Sequence, residues 1–217
     1  MSNPRLSIVS PVFCAAPIVG DFVARVTESA AKVTNDLEII LVDDGSKDDS
    51  WARIADAAGR DSRVRGIRLS RNFGQHCAIT AGLANACGDL VIVMDCDLQD
   101  DPSYIPALVE RAGDGFDVVL TSRVERNYPW SRNICAELFY RVFNSLTDWQ
   151  AADRTIGGYS LITRKVVDAY LRVGDVHRHY LRVLGWLGFR QAVIKVCLLY
   201  TSPSPRDSTS SRMPSSA

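Results

Sequence analysis

The sequence predicts an α/β fold built on a mainly parallel sheet with helices on both faces. Three observations predict it. Between residues 6 and 121, short apolar runs rich in β-branched residues recur at regular intervals. Segments of helical length, each with a one-sided apolar stripe, separate them. The central runs, such as Glu38-Ile-Ile-Leu-Val42, lack polar alternation, as strands buried on both faces do. Strand and helix in alternation imply parallel pairing through crossovers.

The predicted strands are Leu6–Val12, Leu37–Val42, Val64–Leu69, Asp89–Met94 and Val118–Thr121. Between the first two, Asp21–Val33 places Phe22, Val23, Val26 and Ala30 on one stripe. Ser50–Ala58 does the same with Trp51, Ile54, Ala55 and Ala58, and His76–Ala86 with Ile79, Leu83 and Ala86. Asp101-Pro102 is an N-cap and first-turn pair for a helix reaching about Ala112. Beyond residue 122 the rhythm changes. Arg123–Arg132 reads as a polar loop and Trp130–Leu146 as a long helix. Gly157–Thr163 and Gln191–Val196 read as strands, with helices over Lys165–Val173 and His177–Leu187.

The chain has 217 residues, 25 basic and 25 acidic. Its zero net charge gives no basic footprint for nucleic acid. Six cysteines without a Cys-x-x-Cys pair or a Cys/His cluster argue against structural zinc and read as reduced thiols. No signal peptide is evident, and apolar runs such as Leu90–Met94 are far short of the ~18 residues of a spanning helix. From Thr201 the chain turns to Ser, Pro and Arg with almost nothing to bury. Residues 197–217 are therefore expected to be a disordered tail, or a cloning or reading-frame artefact, behind a domain spanning 1–196.

Two acidic clusters follow strand ends, where open parallel sheets bind ligands. They are Asp43-Asp44-Gly45-Ser46 after the second strand and Asp95-Cys-Asp-Leu-Gln-Asp-Asp101 after the fourth. Asp and Gly also make ordinary turns, and Asp101 reads as a helix cap. In an extended segment, however, residues i and i+2 point to one side. Asp95 and Asp97, with the Gln99 amide, can then converge on a hard cation such as Mg²⁺ or Mn²⁺, which accepts oxygen ligands and bridges to substrate phosphates. An EF-hand fits poorly, since Asp100 stands where its Gly belongs. A phosphatase-type nucleophile is a rival, but it would follow the first strand. No dinucleotide fingerprint, P-loop or nucleophile elbow occurs.

Four segments, taken together, resemble one family. They are Ser7-Ile-Val-Ser-Pro-Val-Phe13, Val42-Asp-Asp-Gly-Ser46, Leu69-Ser-Arg-Asn-Phe-Gly-Gln75 and Met94-Asp-Cys-Asp-Leu-Gln-Asp-Asp-Pro102. In order and spacing they are similar to the family-2 inverting glycosyltransferases, most closely to the polyprenyl-phosphate branch that includes dolichol-phosphate mannosyltransferase-like enzymes. The resemblance covers residue 5 to about 196. It implies a GT-A (Rossmann-like) fold, a nucleotide-diphosphate-sugar donor linked to UDP or GDP, a divalent metal and a polyprenyl phosphate acceptor. It also implies work at the cytoplasmic face of a membrane, and a chain cut before C-terminal membrane helices. Homo-oligomerisation stays open.

By position, the resemblance puts Pro11 and Val12 in the nucleotide pocket, Asp44 on the base with Asp43 supporting it, and Arg71 near the nucleotide. Asp95, Asp97 and Gln99 would hold the metal against the diphosphate. Arg123 would lie near the acceptor phosphate, with Arg164 as a second acceptor contact. Asp153 would lie near the reaction centre. The resembled pattern reads Pro-x-Tyr-Asn-Glu after the first strand, whereas this chain reads Pro11-Val-Phe-Cys-Ala-Ala16 and lacks the Glu. Two other readings fit the same residues. One is a soluble glycosyltransferase acting on a polysaccharide or glycolipid hydroxyl, for which Asp153 would be an essential base. The other is a non-catalytic nucleotide-sugar-binding protein.

Overall fold

In the computed structural model, residues 4–123, 156–174 and 179–196 are described. They form β1 (Leu6–Val12), α1 (Val19–Ala30), β2 (Leu37–Asp43), α2 (Ser50–Arg60), β3 (Val64–Arg68), α3 (Gln75–Asn85) and β4 (Leu90–Val93). A 3₁₀ turn (Pro102–Tyr104), α4 (Ile105–Gly113) and β5 (Val118–Arg123) follow. Then come β6 (Ile156–Thr163), α5 (Arg164–Arg172), α6 (Tyr180–Trp186) and β7 (Gln191–Val196). The expected loop over 123–132, the helix over 130–146 and the tail from 201 lie wholly or almost wholly outside the described residues.

The seven strands form one sheet in the order β3-β2-β1-β4-β6-β5-β7. β1 to β4 are mutually parallel. β6 runs antiparallel between β4 and β5, and β7 runs parallel to β5. The sheet is thus mainly parallel, as expected, with one reversed strand.

The buried strands sort their side chains between two cores, because successive residues face opposite sides. On β2, Ile39 and Leu41 join α1, α2 and α4 through Phe22, Val26, Ile54 and Leu108. Ile40 and Val42 join α3, α5 and α6 through Leu83, Val166, Tyr170 and Leu184. Every residue of β2 is buried, which is why its sequence shows no alternation.

The chain builds outward from β1 to β3, then returns across β1 to place β4 on its other side. That reversal leaves a crevice at the carboxyl ends of β1 and β4, the position where open α/β sheets take ligands. Among the described residues, no helix is long and apolar enough to cross a membrane.

Candidate active site

A cleft of about 310 Å³ opens at this crevice. Pro11, Val12 and Phe13 from the end of β1, Asp44 beyond β2, and Asp95 and Asp97 beyond β4 line it.

The acidic loop is shaped by what it buries. Met94, Cys96 and Leu98 are in the core, so the residues between them, Asp95 and Asp97, are turned the other way, and Gln99 after them is exposed. Leu98 takes a left-handed backbone, φ 57°, a conformation that costs a branched residue of order 1–3 kcal/mol and is held only by its surroundings. Asp97 Oδ1 accepts the Gln99 N–H at 3.0 Å, which closes the turn. Burial, with the neighbouring Asp97 and Asp95 carboxylates, pushes the Cys96 thiol up to about 12. It stays protonated and serves as a small apolar side chain. Asp95 is held from the opposite wall, where the Gln75 amide donates to its Oδ1 at 2.6 Å.

The second acidic pair has already found partners. Asp43 is fully buried. Its Oδ1 accepts the Ser46 N–H at 3.1 Å, and its Oδ2 pairs with Arg68 Nε at 3.5 Å. Asp44 accepts two backbone N–H groups, Phe73 at 2.8 Å and Gly74 at 2.9 Å, so it fixes the loop between β3 and α3. Gly45 makes that approach feasible. Its φ is +68°, and a Cβ there would stand 2.5 Å from the Arg71 carbonyl carbon. The connection from β2 into α2 grips the segment after β1. Ser46 Oγ accepts the Cys14 N–H at 3.0 Å and Ser50 Oγ the Ala15 N–H at 2.9 Å, while Asp48 takes the Ala16 N–H at 3.2 Å. Burial pushes the Asp48 carboxyl up, but its hydrogen bonds from Ser50 and Ala16 outweigh this and hold it below its usual range. Where the resembled pattern has Glu, this chain secures the loop with Ser46, Asp48 and Ser50.

The structure therefore brings Pro11, Val12, Asp44, Asp95 and Asp97 to one cleft, with Asp43 directly beneath it. Arg71 lines an adjoining hollow with Gly45, Ser46 and Arg68, its guanidinium 4.7 Å over the Phe73 ring. Gln99 is exposed outside the cleft lining. Asp153 and the Arg123 side chain lie outside the described residues. Arg164 is not brought to the cleft. Its neighbour Thr163 pairs with Leu90 at the start of β4, so Arg164 sits at the edge of the sheet opposite the cleft. There its guanidinium donates twice to the Gly88 carbonyl, at 3.0 and 2.6 Å. It braces the α3–β4 connection. Gln75 and Phe13 are cleft residues that the sequence did not single out. Gln75 carried one signal, a polar residue opening the otherwise largely apolar α3.

A cleft at the switch point of a mainly parallel sheet is where open α/β proteins take their ligands. Comparison with known proteins narrows this. Residues 7–171 match the model of glycosyl transferase family 2, and the chain belongs to that family. It is 34% identical over 191 residues to an uncharacterized glycosyltransferase of Synechocystis sp., a match covering 88% of this chain and 60% of the relative. It is 41% identical over 149 residues to the undecaprenyl-phosphate 4-deoxy-4-formamido-L-arabinose transferase of Aeromonas hydrophila, covering 68% of this chain and 46% of the relative. The chain thus spans about half the length of the curated relatives it matches.

Among solved structures, the fold is similar to a mannosyltransferase from Pyrobaculum calidifontis in complex with GDP-Man and Mn²⁺. The TM-score is 0.65 and the identity 18%, over 94% of this chain and 59% of that one. It is also similar to the glucosyl-3-phosphoglycerate synthase of Mycobacterium tuberculosis in complex with Mn²⁺ and UDP-glucose. There the TM-score is 0.62 and the identity 18%, over 95% of this chain and 74% of that one. These likenesses establish a GT-A-like fold.

Proposed function

We propose that this chain carries the donor-binding and catalytic site of an inverting glycosyltransferase. In this reading it moves a sugar from a nucleotide diphosphate to a polyprenyl phosphate with the help of Mg²⁺ or Mn²⁺. The observation that carries the reading is that Asp95 and Asp97 line the same cleft as Asp44 and the end of β1.

The donor set suits such an ion. Among the described residues no group of three or more His, Cys, Asp or Glu side chains converges. Asp95 and Asp97 offer carboxylate oxygens, the ligand type a hard cation takes, and such an ion would need further oxygen ligands from water or the donor. Asp95 and Asp97 would hold it, and the bound ion would neutralise charge on the departing diphosphate. Asp44 and its clamped loop would shape the base end of the cleft, with Pro11, Val12 and Phe13 as the wall along the nucleotide.

An acceptor phosphate is largely ionised at pH 7, its second pKa being about 6. Its oxygen can attack the anomeric carbon in line, without a strong base. By resemblance, Arg123 would steady that phosphate through its forked donors, and Asp153 would orient or stabilise the reacting centre. The curated relatives named for undecaprenyl phosphate support the lipid acceptor.

The test is donor release measured with UDP- and GDP-sugars, Mn²⁺ and either undecaprenyl phosphate or a glycan. Acceleration by the lipid phosphate alone supports the reading. Acceleration only by a glycan hydroxyl moves the chain to the second class of acceptor. Absence of binding to any nucleotide sugar removes the catalytic reading.

A further inference from the structure

At the second position of α3, next to Gln75, the half-buried His76 packs against His179, the residue that opens α6. The ring centroids are 4.3 Å apart and the planes tilted by 43°. The Tyr180 N–H donates to His76 Nδ1 at 3.4 Å. A ring nitrogen that accepts an N–H carries no proton, so His76 is neutral here with its hydrogen on Nε2. The contact ties the start of α6 to the start of α3, and the start of α3 delivers the Gln75 amide to Asp95.

We propose that the His76–His179 contact is a pH-sensitive strap that positions Gln75, and through it Asp95, and that it holds only while His76 Nδ1 is free to accept the Tyr180 N–H. This rests on the reading of Asp95 as a metal ligand. His76 is then a positioning residue acting through Gln75. Protonating His76 at Nδ1 would set two donors against each other.

The surroundings favour the neutral state. Tyr170 of α5 shares a hydrogen bond with Thr80, one turn along α3. The Tyr180 hydroxyl is bonded to Ser160 of β6. Arg182, two residues beyond Tyr180 on α6, is exposed. Asp95 stands beyond Gln75 and is bonded to it. Burial first, and then the His179 ring, hold His76 below its ordinary value of 6.5. A group depressed in this way contributes stability above its unfolded pKa and loses it as pH falls through about 6.5 toward the folded value.

The experiment uses the full chain, free of ligand, as wild type, His179→Gln, His76→Gln and the double variant. The first readout is the Gln75 side-chain amide by NMR between pH 7.5 and 5.5. In the wild type its shifted, exchange-protected signal should collapse toward a free amide as the pH falls, and in His76→Gln, whose amide oxygen can still accept the Tyr180 N–H, it should persist. The second readout is the thermal midpoint, whose fall on acidification should be shallower in His76→Gln and in the double variant than in the wild type or His179→Gln. A third readout is Mn²⁺-dependent affinity for UDP-glucose or GDP-mannose, expected to weaken on acidification at least about fivefold more in the wild type than in His76→Gln. Gln75 signals and midpoints with the same pH dependence in wild type and His76→Gln overturn the strap. If neither nucleotide sugar binds at pH 7.5, the proposed function fails, while the first two readouts still decide the strap.

Discussion

At the amino-terminal edge of the sheet, Glu38 is buried among partners supplied by the fold. The Ser7 hydroxyl donates to it at 2.6 Å and the Cys87 N–H at 2.6 Å. Arg65 lies 3.3 Å away and Arg5 4.0 Å. At the carboxyl-terminal edge, Asp95 and Asp97 face a cleft. The Gln75 amide reaches Asp95 and the Gln99 N–H reaches Asp97 there. The two edges share a residue chemistry and differ in where it faces. A carboxylate buried among partners supplied by the fold is structural. A carboxylate that lines an open cleft is placed to meet a ligand.

This contrast can be broken from either side. The largest effect should come from Asp97→Ala, with Asp95→Ala close behind. Removing the ion's anchor should lower metal-dependent turnover by about 10²–10³-fold, since Lewis-acid stabilisation is worth several kcal/mol. The thermal midpoint of the ligand-free protein should hardly move. Steady-state kinetics beside a melting curve checks both halves.

Glu38→Ala should do the reverse. It leaves the Ser7 hydroxyl and the Cys87 N–H without their acceptor and should cost about 3 kcal/mol of stability by denaturant unfolding, with nucleotide affinity retained. Its pH signature has a definite sign. Burial pushes the Glu38 carboxyl up, but Ser7, Cys87, Arg5 and Arg65 together bring it below its usual value of 4.5. The stability it contributes is present above about 4.5 and is lost as pH falls below that value. Glu38→Gln should flatten this acid limb, and an unchanged limb would refute the assignment.

A smaller loss should follow Gly45→Ala. The added Cβ meets the Arg71 backbone at a positive φ, a strain of about 1–3 kcal/mol. Relief requires the clamped loop to move, so weaker nucleotide-sugar binding should accompany the lower midpoint. Smallest is Arg164→Ala, which gives up the two bonds to the Gly88 carbonyl. About 1–2 kcal/mol of stability should be lost, with the KM for the lipid phosphate unaltered. A raised KM would return Arg164 to the acceptor site.

Much of this was legible beforehand for a physical reason. β1 falls on Leu6–Val12 as read, because burial on both faces leaves its mark residue by residue, and the edge strand β7 falls on Gln191–Val196 as read, its burial alternating along the chain. The acidic loop was legible for the same reason, since Cys96 between two aspartates is an inward-facing residue between two outward ones. Strand direction leaves no such mark. β6 reads like any buried strand, yet it enters the sheet reversed between β4 and β5, a pairing set by long-range contacts. That reversal carries Arg164 to the edge away from the cleft. Gln75 was missed because its role depends on where α3 starts relative to β4, which no local pattern records.

The most direct test of the central claim is calorimetric titration of UDP-glucose and GDP-mannose into the wild type and Asp97→Ala, with and without Mn²⁺. One of the two sugars should bind the wild type in the presence of Mn²⁺. Its affinity should fall by about tenfold or more, roughly 1.4 kcal/mol, when either the ion or the Asp97 carboxylate is removed, and removing both should add little further. Binding that is indifferent to both the ion and Asp97 would contradict the account.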